Sequence, residues 1–333
     1  MNPVKSQAAK HIMVLYTGGT IGMQASASGL APASGLGERM REQLAGQPQL
    51  TLPQWRFREL LPLIDSANMT PVYWQQLREA VIAAVDEGCD AVLVLHGTDT
   101  LAYSAAAMSF QLLGLEAPVV FTGSMLPAGV PDSDAWENII GSLQALARGL
   151  ASGVHLFFHG AILTPTRCAK IRSYGRSPFA MLNRNGGAEI ATDLPAALDY
   201  RQPKQLANVA VLPLFPGFGA QPLEAVIDSG IQALVLECFG SGTGPCDNPE
   251  FLAALKKAQA RGIPVVAITQ CHEGGVFLDT YEASSRLREV GVLSGGGMTR
   301  EAAFGKLHAL IGAGLAQEEI RRLVALDLCG ELR

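Results

Sequence analysis

One stretch near the start of the chain, MVLYTGGTIG at positions 13–22, combines an apolar run with an abrupt break at two glycines. Apolar residues at consecutive rather than alternating positions predict a strand that is covered on both faces, as in a parallel sheet. The pair Gly18 and Gly19 frees the backbone to turn sharply where that strand ends, and Thr20 follows in the loop. Because ligands bind at the carboxyl ends of the strands in an open α/β sheet, we expect Thr20 at a binding edge.

A second stretch has the same construction. The apolar run DAVLVL at positions 90–95 leads directly into a polar loop of His96, Gly97, Thr98, Asp99 and Thr100. A single threonine after a strand is more often a turn residue or a helix cap than a nucleophile. Two strand ends of this kind in one domain favour a shared site that contains Thr20 and Thr98.

Strands and helices alternate along the chain, which is the pattern of a parallel doubly wound sheet. Predicted strands include 91–95, 118–122 and 154–158, and predicted helices include 71–87, 102–113 and 139–150. We therefore expect an α/β protein with a larger N-terminal doubly wound sheet domain (1–190), a linker (191–206) and a smaller C-terminal α/β domain (207–333). Residues 23–37 lack periodicity, which predicts a mobile lid loop rather than a regular element.

Composition limits the kinds of partner. Only 17% of the residues are charged and the net charge is −5 without a basic cluster, which argues against nucleic acid or an anionic membrane as the main partner. The low charged share favours an oligomer. No stretch approaches the roughly 20 apolar residues of a membrane span, and the polar start predicts no export signal. Six scattered cysteines indicate neither zinc nor a disulfide framework, so we expect free thiols in the cytoplasm.

Two motifs, TGGTIG at 17–22 and HGTDT at 96–100, resemble the signature motifs of the bacterial L-asparaginase family, and in particular its cytoplasmic, type I branch. Further segments resemble the family in the same order along nearly the whole chain: 65–71, 122–127, 133–134 with Asn138, Lys170, 269–271, and 298–299 with 306–307. The resemblance implies hydrolysis of L-asparagine to L-aspartate and ammonia through a covalent threonine ester, with neither a cofactor nor a metal.

The resemblance also implies roles for individual residues. Its catalytic set is Thr20, Thr98, Asp99 and Lys170. In this set the lysine accepts or returns the hydroxyl proton of Thr98, and the aspartate orients the lysine. Its substrate-binding set is Ser66, Ala67, Gly97, Thr98 and Asp99. A carboxylate suits the ammonium group of a small zwitterion, and a hydroxyl with loop N–H groups suits its carboxylate. The resemblance further implies a homotetramer, built as a dimer of dimers, in which Thr243 of one subunit helps to complete the site of its neighbour.

The sequence departs from the family at three positions. Leu30 occupies the lid position where the family usually has a tyrosine, and Ala67 and Asn68 stand where exported members often have glutamine and aspartate. Two alternatives therefore stay open: a glutaminase-asparaginase of broader amide specificity, and a non-catalytic amino-acid-binding regulatory protein.

We interpret His96, the first residue after a buried strand, as structural rather than as a base, and we expect Tyr16 in the core. The glycine-rich run 240–244 matches no nucleotide-binding pattern.

Overall fold

The first strand has the burial that its apolar run predicts. In the computed structural model, which describes residues 8–26, 29–47, 49–182, 187–279 and 282–332, this strand covers His11–Gly18, and every residue after His11 is buried. A strand buried on both faces needs a paired neighbour on each side and covering elements above and below. The chain divides into two compact units, with the division between Ala180 and Met181.

The first unit contains most of the strands. They are β1 (His11–Gly18), β2 (Gln24–Ser26), β3 (Gly29–Ala31), β4 (Gln54–Ile64), β5 (Ala91–Leu95), β6 (Pro118–Thr122), β7 (Gly153–Phe158), β8 (Ala161–Leu163), β9 (Cys168–Lys170) and β10 (Phe179–Met181), which ends just beyond the division. Its helices are α1 (Leu36–Ala45), α2 (Pro71–Asp86), α3 (Leu101–Gln111) and α4 (Ala135–Arg148). Helix α3 is buried along nearly its whole length, as a helix of small and apolar residues must be.

Six of these strands form one sheet in the order β4-β1-β5-β6-β7-β8. The first five are parallel, and β8 is antiparallel at the edge. The chain moves from β1 outward to β4 and then crosses back to β5 on the other side of β1. The strand order therefore reverses between β1 and β5, and such a topological switch point is where open α/β sheets bind their ligands.

The second unit is a smaller α/β layer. Its strands are β11 (Val209–Pro213), β12 (Ala233–Cys238), β13 (Val265–Thr269) and β14 (Leu293–Ser294), which form one parallel sheet in chain order. Its helices are α5 (Ala220–Asp228), α6 (Pro249–Ala260), α7 (Glu282–Glu289), α8 (Arg300–Gly312) and α9 (Gln317–Val324). Within the described ranges, no helix of either unit is long and apolar enough to cross a membrane.

The predicted fold class is confirmed: a larger N-terminal unit with a mainly parallel sheet precedes a smaller α/β unit. Strands β5 and β6 have the bounds that the sequence predicted. The loop predicted over 23–37 is wrong in part, because β2 and β3 pair as an antiparallel hairpin and α1 already begins at Leu36. The domain boundaries at 190 and 207 stay a prediction.

A buried ion pair fixes the end of the chain to the second unit. Lys306 on α8 lies 2.8 Å from a carboxylate oxygen of Glu331, and both side chains are fully buried. The lysine also donates to the carbonyl oxygens of Val324 and Leu326. The carboxylate of Glu331 accepts from the N–H groups of Leu328 and Cys329. Every charge in this cluster therefore has partners, which a buried ion pair requires.

Removing one member of this pair would leave the other charge buried without compensation. We expect Lys306→Met to lower the free energy of unfolding by about 3–5 kcal/mol in urea titrations. Addition of Glu331→Gln should recover part of that loss because it removes the unpaired charge. The exposed Lys256→Met is the matched control. Equal stability of Lys306→Met and Lys256→Met would contradict this account of the pair.

Candidate active site

The two glycine-containing strand ends touch each other through their backbones. A Cβ placed on Gly19 would lie 2.2 Å from the Cα of Gly97, and Gly19 has a φ of +82°, in the region that favours glycine. A Cβ on Gly97 would lie 2.6 Å from the Oγ of Ser66. Because neither glycine has a side chain, the loops after β1 and β5 approach closely. Thr20 and Thr98 directly follow these two glycines in the chain, so they begin from neighbouring loops.

Thr98 belongs to a polar cluster that the fold assembles from distant parts of the chain. The Nζ of Lys170, at the end of β9, donates to the Oγ1 of Thr98 at 2.9 Å and to the Oδ1 of Asp99 at 2.7 Å. The side chain of Lys170 is 18% exposed and that of Asp99 is 62% exposed. The lysine is thus held against the hydroxyl by one carboxylate oxygen, while the exposed carboxylate keeps acceptor capacity for another cation.

Ser66 contacts the same loop after β5. It is buried in a short 3₁₀ turn (Ser66–Asn68) directly after β4, and its Oγ accepts from the N–H of Asp99 at 3.3 Å. Its carbonyl oxygen accepts from the hydroxyl of Thr100 at 2.8 Å. The neighbouring Ala67 is exposed, and its N–H already donates to the carboxylate of Asp65. Ser66 therefore keeps a hydroxyl proton for a ligand, whereas Ala67 has no polar side chain to offer.

Thr20 begins a short 3₁₀ turn over Thr20–Gly22, and this turn rests on Tyr16. A Cβ on Gly22 would collide with the hydroxyl of Tyr16, so the ring lies directly beneath the turn. Tyr16 is fully buried, as expected, and burial raises its pKa to about 12. The phenol therefore stays neutral and donates to the carbonyl oxygen of Ala33 at 3.4 Å, so it supports the turn and is no base.

The segment predicted to be a lid is hydrogen-bonded at both ends, and its strands β2 and β3 are mostly exposed. At one end Arg39 donates to the carbonyl oxygen of Gly22 at 3.1 Å. At the other end the carboxylate of Glu59 accepts from the Ser34 hydroxyl at 2.7 Å and from the Gly35 N–H at 3.0 Å. Between them Leu30 lies on β3 with 56% of its surface exposed. Sequence reasoning missed Arg39 and Glu59, because nothing in their local pattern relates a helix and an edge strand to the lid.

His96 and Thr243, which the sequence analysis also singled out, lie outside this cluster of polar side chains. His96 is fully buried, and burial lowers the pKa of its imidazole to about 4, so the structural interpretation holds and the ring is neutral near pH 7. Thr243 lies in the second unit in the turn after β12, and its hydroxyl contacts the carbonyl oxygen of Phe239 at 3.3 Å. Its predicted contribution to a neighbouring subunit stays a prediction.

Hydroxyls, a lysine and a carboxylate lie at the switch point of a parallel α/β sheet, and these are groups that an amidohydrolase requires. Residues 11–201 match the family model for the N-terminal part of asparaginase, and residues 208–324 match the model for the glutaminase/asparaginase C-terminal domain. The chain belongs to the asparaginase family.

Full-length relatives agree with this assignment. The chain is 35% identical to L-asparaginase 1 of Escherichia coli over 97% of its own length and 98% of the relative. It is similar to the solved structure of the thermostable L-asparaginase from Thermococcus kodakarensis, with a TM-score of 0.82 and 34% identity over 97% of this chain and 99% of that one. It is also similar to L-asparaginase I from Vibrio cholerae, with a TM-score of 0.83 and 35% identity over 98% of this chain and 100% of that one.

The close contact between the loops of Gly19 and Gly97 predicts that one added methyl group lowers activity strongly. Gly97→Ala would force the Ser66 hydroxyl and the Gly19 backbone apart, and we expect kcat/KM to fall by about 100-fold because small displacements of reacting groups are costly. Gly129→Ala is the control, since its Cβ would meet open space. Steady-state kinetics on both folded variants measure this. Similar activity in the two would show that the close approach is dispensable.

Proposed function

We propose that the protein hydrolyses L-asparagine to L-aspartate and ammonia, without a cofactor. The observation that carries the proposal is the contact of Lys170 with both Thr98 and Asp99, directly beside the turn that holds Thr20. Family membership supports the reaction class, and the full-length relatives named L-asparaginase support the substrate. We also keep the prediction that the protein works in the cytoplasm.

An amide is a poor electrophile, so its hydrolysis needs a nucleophile, an acceptor for the nucleophile's proton and donors for the oxyanion. In our mechanism the Oγ of Thr20 attacks the side-chain carbonyl carbon, and backbone N–H groups of the loops stabilise the tetrahedral oxyanion. The C–N bond then breaks, the nitrogen takes a proton and ammonia leaves a threonine ester. Water attacks this ester to release aspartate and to restore the hydroxyl of Thr20. Thr98 and Lys170 carry the protons in both halves.

The same residues explain why a small zwitterion suits the site. Asp99 uses Oδ1 for Lys170, and because its side chain is 62% exposed, its other oxygen is proposed to bind the substrate ammonium group. The Ser66 hydroxyl and nearby N–H groups can receive the α-carboxylate. The two charged ends of the substrate would then orient the amide toward Thr20. Such orientation is a large part of the rate enhancement that binding energy can supply.

A coupled ammonia assay with L-asparagine, D-asparagine and L-glutamine tests the proposal. We expect ammonia from L-asparagine at the highest kcat/KM. Comparable turnover of L-glutamine would replace the proposal with the broader glutaminase-asparaginase. Calorimetric binding of aspartate without ammonia from any of the three amides would instead favour an amino-acid-binding regulatory protein.

Replacement of the proposed catalytic groups should abolish most of the turnover. We expect Thr20→Ala, Thr98→Val and Lys170→Met each to lower kcat by at least about 100-fold, the order expected when a nucleophile or its proton carrier is lost. Matched controls are Thr51→Ala and Lys256→Met, which change the same residue types at exposed positions. Near wild-type turnover in a folded Thr20→Ala variant would exclude this residue as the nucleophile.

Leu30 has no group that can take a proton, so its proposed role is to exclude water when the lid covers a bound amino acid. We expect Leu30→Ala to raise KM more than it lowers kcat, because loss of packing weakens substrate retention. Steady-state kinetics with L-asparagine measure the split. The companion variant Leu30→Tyr tests proton transfer, and a large gain in kcat would show that the wild type lacks an efficient acceptor.

We further propose that the protein assembles as a homotetramer, a dimer of dimers, in which Thr243 of one subunit contributes to the site of another. The low share of charged residues supports an assembled surface. We expect light scattering to give four times the subunit mass of 35.1 kDa at assay concentration. A fully active monomer in the same measurement would contradict the assembly.

A further inference from the structure

His96 is held in one orientation at the boundary between β5 and its polar loop. Its backbone N–H donates to the carbonyl oxygen of Thr122 on β6 at 2.9 Å. A Cβ on Gly123 would lie 2.3 Å from the carbonyl oxygen of His96, so the chain after β6 packs against this peptide. The imidazole is fully buried next to Phe121, with ring centroids 6.2 Å apart. The ring therefore cannot reach solvent and sits under the loop that carries Thr98.

The ring makes one hydrogen bond that bears directly on this loop. Its Nδ1 lies 2.7 Å from the carbonyl oxygen of Gly97. A carbonyl oxygen only accepts, so Nδ1 must carry the proton. A neutral imidazole has a single N–H, which leaves Nε2 as a bare acceptor. Among the residues that the structure describes, Nε2 has no hydrogen-bond partner.

The hydrogen bond fixes a peptide plane. The Gly97–Thr98 peptide is planar and trans, so its C=O and its N–H point in opposite directions. With the carbonyl oxygen held by the buried imidazole, the N–H of Thr98 must point away from it. Glycine at position 97 would otherwise leave this plane easy to rotate, because glycine has the widest range of backbone conformations.

We infer that His96 is a positioning residue: its Nδ1–H anchors the Gly97 carbonyl and thereby aims the Thr98 N–H at an anionic oxygen of the substrate. The inference rests on the proposed amide hydrolysis for the identity of that oxygen, which is either the α-carboxylate or the developing oxyanion. His96 is fully buried, so it acts on the bound substrate through the Gly97–Thr98 peptide.

A pair of isosteric variants tests this role. The Nδ2 of asparagine, like the Nδ1 of histidine, is bonded to Cγ, so His96→Asn keeps a donor at the same position. His96→Leu has nearly the shape of asparagine and no donor. We expect His96→Leu to lower kcat/KM by about 10- to 100-fold and His96→Asn to recover at least about tenfold of the loss. Equal kinetics for the two folded variants would overturn the inference.

The kinetic split identifies the oxygen. A higher KM together with weaker aspartate binding in calorimetry would assign the N–H to the carboxylate, whereas a lower kcat with unchanged aspartate binding would assign it to the oxyanion. Both results support the positioning role.

Nitrogen-15 NMR of histidine-labelled wild-type protein gives a readout without turnover, with the His96 signals assigned by their absence in His96→Asn. We expect the neutral Nδ1–H tautomer from pH 5.5 to 8. An Nε2–H tautomer, or protonation within this range, would overturn the inference. Absence of ammonia release by the wild type would refute the proposed function and leave the tautomer result standing.

Discussion

The site depends on a contact between two backbones that have no side chains in the way. Neighbouring parallel strands lie about 4.8 Å apart, and loops that leave them normally separate because their side chains need room. At Gly19 and Gly97 that room is not required, and the two loops stay in contact after the strands end. Each glycine is followed by a threonine. The close approach of the two loops is the basis for proposing that both threonines belong to one site.

The polar groups of the site differ in burial and therefore in charge state and hydrogen bonding. Lys170 is mostly buried and is held by one oxygen of Asp99, so its position is determined by a charge-assisted hydrogen bond. Asp99 itself is largely exposed and can serve a second cation. Burial favours the neutral form of two aromatic side chains: it raises the pKa of Tyr16 to about 12 and lowers the pKa of His96 to about 4. The titratable aromatic side chains around the site therefore act as structural donors.

The predicted lid segment has hydrogen-bonded ends and an exposed middle part. Hydrogen bonds from Arg39 and to Glu59 hold its two ends, whereas the hairpin between them exposes the apolar Leu30. Exposure of a large apolar side chain costs free energy, and covering a ligand would remove that surface from water. Fixed ends limit the conformations through which such a closure must pass. In the proposed closure, these fixed ends would lower the entropy cost, and the apolar Leu30 would exclude water.

The sequence by itself determined the elements and the two strand ends, because consecutive apolar residues and paired glycines act over a few positions. It also determined family membership, through motifs in the loops. Local patterns do not predict the contact between Lys170 and Thr98, which are 72 positions apart, and only the family resemblance implied it. The contact between Glu59 and Ser34, 25 positions apart, was decided by the tertiary structure alone. The hairpin of β2 and β3 escaped prediction for a related reason, since its short strands have no distinctive periodicity. Local patterns encode local geometry, whereas contacts between distant residues depend on strand order and on packing of the whole sheet.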